Sequence, residues 1–190
     1  RTFENHSNPD IDPKKQDLNY DLVNDEPINY KEKIQGIIDT QRESQRAIRK
    51  DAVLVNEWIL TSNQEFFEGM SEQETRKFFQ DTLEYFSEKF GTQNMAYAQV
   101  HLDETTPHMH LGVVPMTEGK LSGKTVFNRQ TLKEIQSDLP EFLKGKGFNI
   151  ERGIEGSERK NLSVATYKKV VNEAKAEAEK LEKELERGGR

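Results

Sequence analysis

The chain has 190 residues, of which 33% are hydrophobic and 33% charged; it is long enough to bury one core while leaving part of its length as solvated helix. It has no cysteine, which excludes disulfide staples and thiolate metal sites and fits a reducing cytoplasm. No run approaches the roughly 18 apolar residues that span a bilayer and no signal-peptide pattern opens the chain. A formal charge of −6 and a pI near 5.4 argue against indiscriminate nucleic-acid binding. The acidity is uneven, however. "NEAKAEAEKLEKELER" (172–187) carries six glutamates against four basic residues, whereas "QRESQRAIRK" (41–50) sets Arg42, Arg46, Arg49 and Lys50 against Glu43 alone.

In chain order, the first 28 residues are rich in Asn, Asp and Pro and read as irregular, with a short extended piece at "LNYDLV" (18–23). His6, in "ENHSN", reads as an ordinary hydrogen-bonded side chain. Ile34, Ile37, Ile38 and Ile48 predict a helix from Tyr30 to about Lys50. "AVLVNEWILT" (52–61) predicts a buried strand. Ser71 and Glu74 form a capping box ahead of a helix with Phe79, Leu83, Phe86 and Phe90 on one face, stopped by Gly91. Strands follow at 95–102 and 108–115. Leu132, Ile135, Leu139 and Phe142 mark a further helix that Pro140 is expected to kink or shorten. Beyond Ser163 the Ala-, Glu- and Lys-rich run predicts a long exposed helix, a possible coiled-coil start. Both ends, Arg1 without an initiator methionine and "ERGGR", read as cuts through a longer protein.

Three of the four histidines fall in "HLDETTPHMH" (101–110). His108 and His110 are two apart on a strand and share a face. If Glu104–Pro107 is a four-residue hairpin loop, Asp103 faces His108, His101 faces His110, and all three imidazoles meet on one side of the sheet. A slip of one residue would separate them. Three neutral imidazoles on a rigid face make a divalent-metal site with open coordination positions, and the flanking carboxylates can accept from the ring N–H groups. These residues alone leave a metallohydrolase, a phosphodiesterase and a nucleic-acid transesterase open.

His108-Met109-His110 is a histidine–hydrophobic–histidine (HUH) pair, and "HLDETTPHMHLGVVP" resembles the metal motif of plasmid mobilisation relaxases of the Mob/Pre (MobV-type) class. Arg1, "HSN" (6–8), Ile11 and "NY" (19–20) resemble that family's N-terminal motif, and "RAIRKDAVL" (46–54) is similar as well. The resemblance implies a relaxase that nicks one strand at a plasmid transfer origin by transesterification and stays attached to the 5′-phosphate end. It implies His101, His108 and His110 as ligands of Mn2+ or Mg2+. It also implies a histidine nucleophile just upstream of the position matched by Arg1, with Arg1 as its helper.

Glu104 is the candidate general base or orienting group, Asp103 an acceptor behind a metal ligand, and Tyr20 the fallback nucleophile. Arg46, Arg49 and Lys50 are the candidate DNA contacts, with Lys120, Lys124 and Arg129 behind them. The expected fold is α+β: a mostly antiparallel sheet carrying the three-histidine metal site, flanked by helices, with a long C-terminal helix. Residues 1–162 would be the relaxase domain, lacking its extreme N-terminus. Residues 163–190 would be a helix leading onward and offering a homodimer contact. Two other readings stand beside this one: a metal-dependent phosphodiesterase using water, and a non-catalytic DNA-binding and dimerising module.

Overall fold

Two adjacent strands divide the molecule into a packed side and a working side. A computed structural model describes residues 18–150. Within them β3 (Met95–His101) and β4 (His108–Val113) pair antiparallel, with Ala98 opposite Leu111 and Val100 opposite Met109. Successive side chains alternate between faces, so these four point the same way, and all are fully buried. The short β1 (Tyr20–Asp21) lies outside β3 and β2 (Asn56–Thr61) outside β4. The sheet order is β1-β3-β4-β2, antiparallel throughout. Arg1, the "HSN" motif, Ile11 and the run beyond Ser163 lie outside the described residues.

The helices after α1 (Tyr30–Gln41) cover the packed face. The short α2 (Gln64–Glu68) is followed by α3 (Glu72–Phe90). The Oγ of Ser71 accepts the Glu74 N–H at 3.2 Å, as the capping spacing predicts, and the helix ends at Gly91. Phe78, Phe79 and Phe86 of α3 pack on Val100, Met109, Leu111 and Val113. Each such ring withdrawn from water stabilises the fold by about 1.5–3 kcal/mol. The last helix in the described residues, α5 (Arg129–Gly145), adds Ile135 and Leu143 to this core. It runs through Pro140 instead of stopping there. The proline leaves the Gln136 carbonyl without its helical donor, but Gln136 is exposed and water satisfies it.

Two expected boundaries move. α1 ends at Gln41, not near Lys50: Arg42 is already extended, and the Glu43 N–H donates to the carbonyl of Gly119 at 3.0 Å. No apolar residue continues the helical face between Ile38 and Ile48, so nothing rewards further turns. The strand expected at 52–61 begins only at Asn56 and is a half-buried sheet edge, not a buried strand.

A hairpin that hydrophobic patterning did not announce follows β4. β5 (Met116–Thr117) and β6 (Lys120–Leu121) are joined by Glu118 and Gly119, both at positive φ (47° and 70°), the geometry of a two-residue hairpin turn. A side chain on Gly119 would also meet Glu43 at 2.6 Å. Beyond the hairpin lies the single turn α4 (Gly123–Val126). α1 packs Ile37 and Ile38 on Ala96, Tyr97, Val114 and Met116 in a second, smaller core. A bulge between Met95 and Tyr97 separates the two cores: the extra residue lets Met95 face the helices while Tyr97 turns to the other side.

Phe86 is fully buried and meets Trp58 edge-on at 5.1 Å. Phe86→Ala is therefore expected to cost about 3–5 kcal/mol, read as a lowered urea midpoint. Lys133→Ala on the exposed side of α5 should change stability by less than about 0.5 kcal/mol.

Candidate metal centre

The three imidazoles share the face opposite the phenylalanine core, but in a different register from the one expected. The connection between β3 and β4 is the six residues Leu102–Pro107, so His101 lies opposite His108, and Gln99, not His101, lies opposite His110. A slip of two residues preserves parity, which keeps all three rings together. The connection is pinned at both ends. The Oδ1 of Asn19 accepts the Leu102 N–H at 2.8 Å, and the Thr61 hydroxyl donates to the Pro107 carbonyl at 2.7 Å.

The ring centroids form a nearly equilateral triangle: 5.2 Å between His101 and His108, and 5.0 Å from each to His110. That is about the spacing of three imidazoles sharing one ion at roughly 2.1 Å from each nitrogen. Each ring also turns Nδ1 toward an oxygen. His108 Nδ1 is 3.1 Å from the Thr106 carbonyl, His110 Nδ1 is 3.3 Å from Glu57 Oε2, and His101 Nδ1 is 3.8 Å from Asp103 Oδ1. A carbonyl or an ionised carboxylate only accepts, so the neutral tautomer that suits His108 and His110 donates from Nδ1 and presents Nε2 as a lone pair. Asp103 is buried and its Oδ1 has no hydrogen-bond partner. It stands behind His101 as an acceptor that a small ring rotation would satisfy.

The spacing fits an ion, while the ring orientations do not yet aim at one. No three His, Asp or Glu side chains among the described residues stand ready as an ion cage. The planes of His101 and His108 are within 7° of parallel. His101 is neutral near pH 7: burial, then the charge of His110 and His108, push its pKa down to about 4 against weaker upward pulls from Asp103 and Glu57. The Glu104 carboxylate reaches to 3.7 Å from His108 Nε2.

Sequence reasoning missed the residues that hold His110. Glu57, on β2, lies opposite Gly112. Its Oε2 faces His110 and its Oε1 accepts the Tyr97 hydroxyl at 2.7 Å. Burial works to raise the Glu57 pKa, but the bonds from His110 and Tyr97 prevail and hold it below the ordinary carboxylate range. Burial and the Glu57 charge drive the Tyr97 phenol well upward, so it remains a donor. Tyr97 reaches Glu57 by crossing over Gly112, where an added Cβ would lie 2.4 Å from its ring. Tyr30 meets the ring of Tyr97 edge-on at 4.9 Å, and its hydroxyl pairs with the Gln99 amide. The alternation in "NEWILT" puts Glu57 on the opposite face from Trp58, a signal available in the sequence. That β2 pairs with β4 was not.

Tyr20 is corrected. It lies opposite Val100 on the helix side of the sheet, packed against the phenylalanine core with Arg76 4.3 Å over its ring. Burial raises its pKa, with Arg76 pulling only partly back. A phenol on the packed face cannot attack a group bound at the imidazoles, so the fallback role is withdrawn. Among the expected DNA contacts, Arg46 and Lys50 are exposed, while Arg49 donates to the Asp51 carboxylate at 2.7 and 2.9 Å. Lys120, Lys124 and Arg129 are exposed. Arg1 lies outside the described residues.

In metal-free protein the His101 ring should titrate near pH 4, below the ordinary 6.5, in an NMR pH series. Because the folded-state pKa is depressed, the unfolded chain takes up this proton first as pH falls. The associated stability is intact above about 6.5 and is lost on acidification toward about 4. His101→Asn should flatten that part of a urea-stability profile. Gly112→Ala should expel the Tyr97 ring, break its bond to Glu57, and shift the His110 ring resonances while leaving those of His108 nearly unmoved.

Comparison with known proteins places this geometry. A sequence model of the family described as "Plasmid recombination enzyme" (Mob_Pre) matches residues 1–169. A plasmid recombination enzyme of Lactiplantibacillus plantarum is 51% identical over 184 residues, covering 96% of this chain and 51% of that protein. One from Streptococcus agalactiae is 49% identical, covering 96% and 37% respectively. This chain thus spans about half or less of the curated relatives it matches. Among solved structures, a Mn-bound MobM relaxase domain (MOBV; Mob_Pre) in complex with plasmid pMV158 oriT DNA is 50% identical, with a TM-score of 0.80, and covers 89% of this chain and 87% of that one. A second Mn-bound complex of that domain gives 50% identity and a TM-score of 0.77. By sequence and by fold, the chain belongs to the Mob/Pre plasmid recombination enzyme family.

Proposed function

We propose that this chain carries a relaxase domain. In this reading it binds single-stranded or hairpin DNA at a plasmid transfer origin and nicks one strand by transesterification, which initiates conjugative mobilisation. The observation that carries the reading is the triangle of imidazoles, with its Nδ1 atoms turned to oxygens and its Nε2 atoms left over. Family membership and the Mn- and DNA-bound relaxase domains among the solved relatives support it.

His101, His108 and His110 would hold the ion, with Asp103, the Thr106 carbonyl and Glu57 accepting behind them. Bound there, Mn2+ or Mg2+ would supply Lewis-acid stabilisation of charge on the non-bridging oxygens of the scissile phosphate. The nucleophile in this reading is the histidine that the family resemblance places ahead of Arg1, with Arg1 orienting it. Its ring nitrogen forms a bond to phosphorus as the bond from phosphorus to the 3′ oxygen breaks, and the departing strand takes a proton to end in a 3′ hydroxyl. Glu104, beside His108, orients the nucleophile or accepts its proton. Arg46, Arg49 and Lys50 hold phosphates, with Lys120, Lys124 and Arg129 as further candidates. Arg49 must first release Asp51, an exposed pair of little intrinsic strength.

We place the reaction in the bacterial cytoplasm and the domain boundary near residue 162. No helix among the described residues is long and apolar enough to cross a membrane.

The test is supercoiled plasmid bearing the cognate origin, incubated with manganese and the protein extended through its family N-terminus. The expected product is a nicked circle with protein on the 5′ phosphate, abolished by a chelator. His108→Ala should lose both metal binding and nicking. Glu104→Gln should keep metal binding and nick about a hundredfold more slowly. Tyr20→Phe should nick normally. A free 5′ phosphate without adduct would convert the reading to a water-using phosphodiesterase, and binding without cleavage would reduce it to a DNA-binding module.

A further inference from the structure

A second feature, remote from the imidazoles, bears on how DNA is gripped, and its interpretation rests on the DNA reading above. The loop 42–55 and the β5–β6 hairpin are locked into one lobe. The Glu43 N–H donates to the Gly119 carbonyl, Ile48 and Leu121 pack on the same small core, and Val53 lies against Gly123 where a Cβ would stand 3.0 Å away. Arg42 donates to the Arg46 carbonyl, and the Ala52 N–H to the Arg49 carbonyl closes the turn at the outer end. The lobe and the adjoining α4 together carry Arg42, Arg46, Arg49, Lys50, Lys120 and Lys124 against Glu43, Asp51 and Glu118. An excess of positive charge therefore sits on a chain whose total is −6.

In this lobe, two consecutive aliphatic side chains face water: Val53 is 47% and Leu54 39% exposed. Their neighbours Lys50 and Lys124 are exposed as well. Apolar residues scattered singly on a surface need no explanation, but an adjacent pair on a braced, basic lobe has two properties of a nucleic-acid contact. The cations attract phosphates, and the aliphatic groups can be covered only by something apolar beside those phosphates. In DNA that is a base face. Architectural DNA-binding proteins use leucine, isoleucine and similar wedges in this way, unstacking a base step while basic groups hold the backbone on either side. The lobe is also within reach of the chemistry. Leu54 and Ile59, which faces His110 across the sheet, are five residues apart, at most about 18 Å of extended chain, or about five base-pair steps along a strand.

We propose that Val53 and Leu54 form an apolar wedge that packs against nucleobases of the bound origin DNA, with Lys50 and Lys124 holding the flanking phosphates. The wedge makes a prediction that charge alone does not. Apolar packing releases no counterions, so its removal lowers affinity without altering the salt dependence, whereas each lost phosphate contact flattens the slope by about one.

The experiment measures fluorescence anisotropy of labelled 22-nucleotide pMV158 oriT DNA, the ligand of the solved relative, over a salt series. The double variant Val53→Ser/Leu54→Ser should bind about tenfold more weakly with the slope of log affinity against log salt unchanged. Lys50→Ala/Lys124→Ala should flatten that slope. Val53→Ile/Leu54→Met, which restores apolar surface, should recover the lost affinity, and circular dichroism of the serine pair should match the unaltered protein. Equal affinity of the serine pair and the unaltered protein would overturn the wedge while leaving the DNA reading intact. Failure of the unaltered protein to bind with any salt dependence would remove both.

Discussion

The pairing of β3 with β4 is the constraint on which both the core and the site depend. Strand alternation sends Val100, Met109 and Leu111 to the helices and His101, His108 and His110 to the opposite face. A one-residue slip would expose the core side chains and bury the imidazoles in the same movement. Burial of the apolar face thus enforces the geometry of the polar one. The site needs no separate stabilising device to keep its three rings on one surface, because the hydrophobic term that folds the sheet already does so.

The polar face is then tuned by carboxylates and carbonyls placed behind the rings. Neutral imidazoles require acceptors for their N–H groups, and two elements place an oxygen beside each ring: Thr106 and Asp103 come from the β3–β4 connection, Glu57 from the edge strand. The Tyr97 hydroxyl holds the other oxygen of Glu57 across Gly112, so His110 is aimed through two strands. The imidazole face is rich in acidic groups. Basic side chains are gathered instead on the lobe formed by the 42–55 loop and the β5–β6 hairpin. Charge is segregated, with carboxylates behind the imidazoles and cations on the separate lobe.

Much of this was legible in the residues, and the failures have physical causes. The histidine parity, the capped α3 with its phenylalanine stripe and the two central strands followed from periodicity, which reports directly on burial. The α1 boundary was misread because Ile48 belongs to the helical spacing by coincidence: it packs on the small core from a loop, not from a helix. Tyr20 looked chemical because it sits in a motif, yet its pairing with Val100 turns it toward the core. The bulge at Met95–Tyr97 breaks the alternation that would have assigned Tyr97 to a face.

The sequence by itself determined that three imidazoles would share a strand face, that an α+β sheet would carry them, and which family that combination resembles. Those conclusions rest on local periodicity and on motif residues close together in the chain. Only the tertiary structure decided that His101 stands opposite His108, that Glu57 and Tyr97 aim His110, that Tyr20 is excluded, and that two distant basic segments form one lobe. Each of these depends on which strand or loop becomes the neighbour of which. That choice is made by the packing of the whole core, and no short stretch of the chain encodes it.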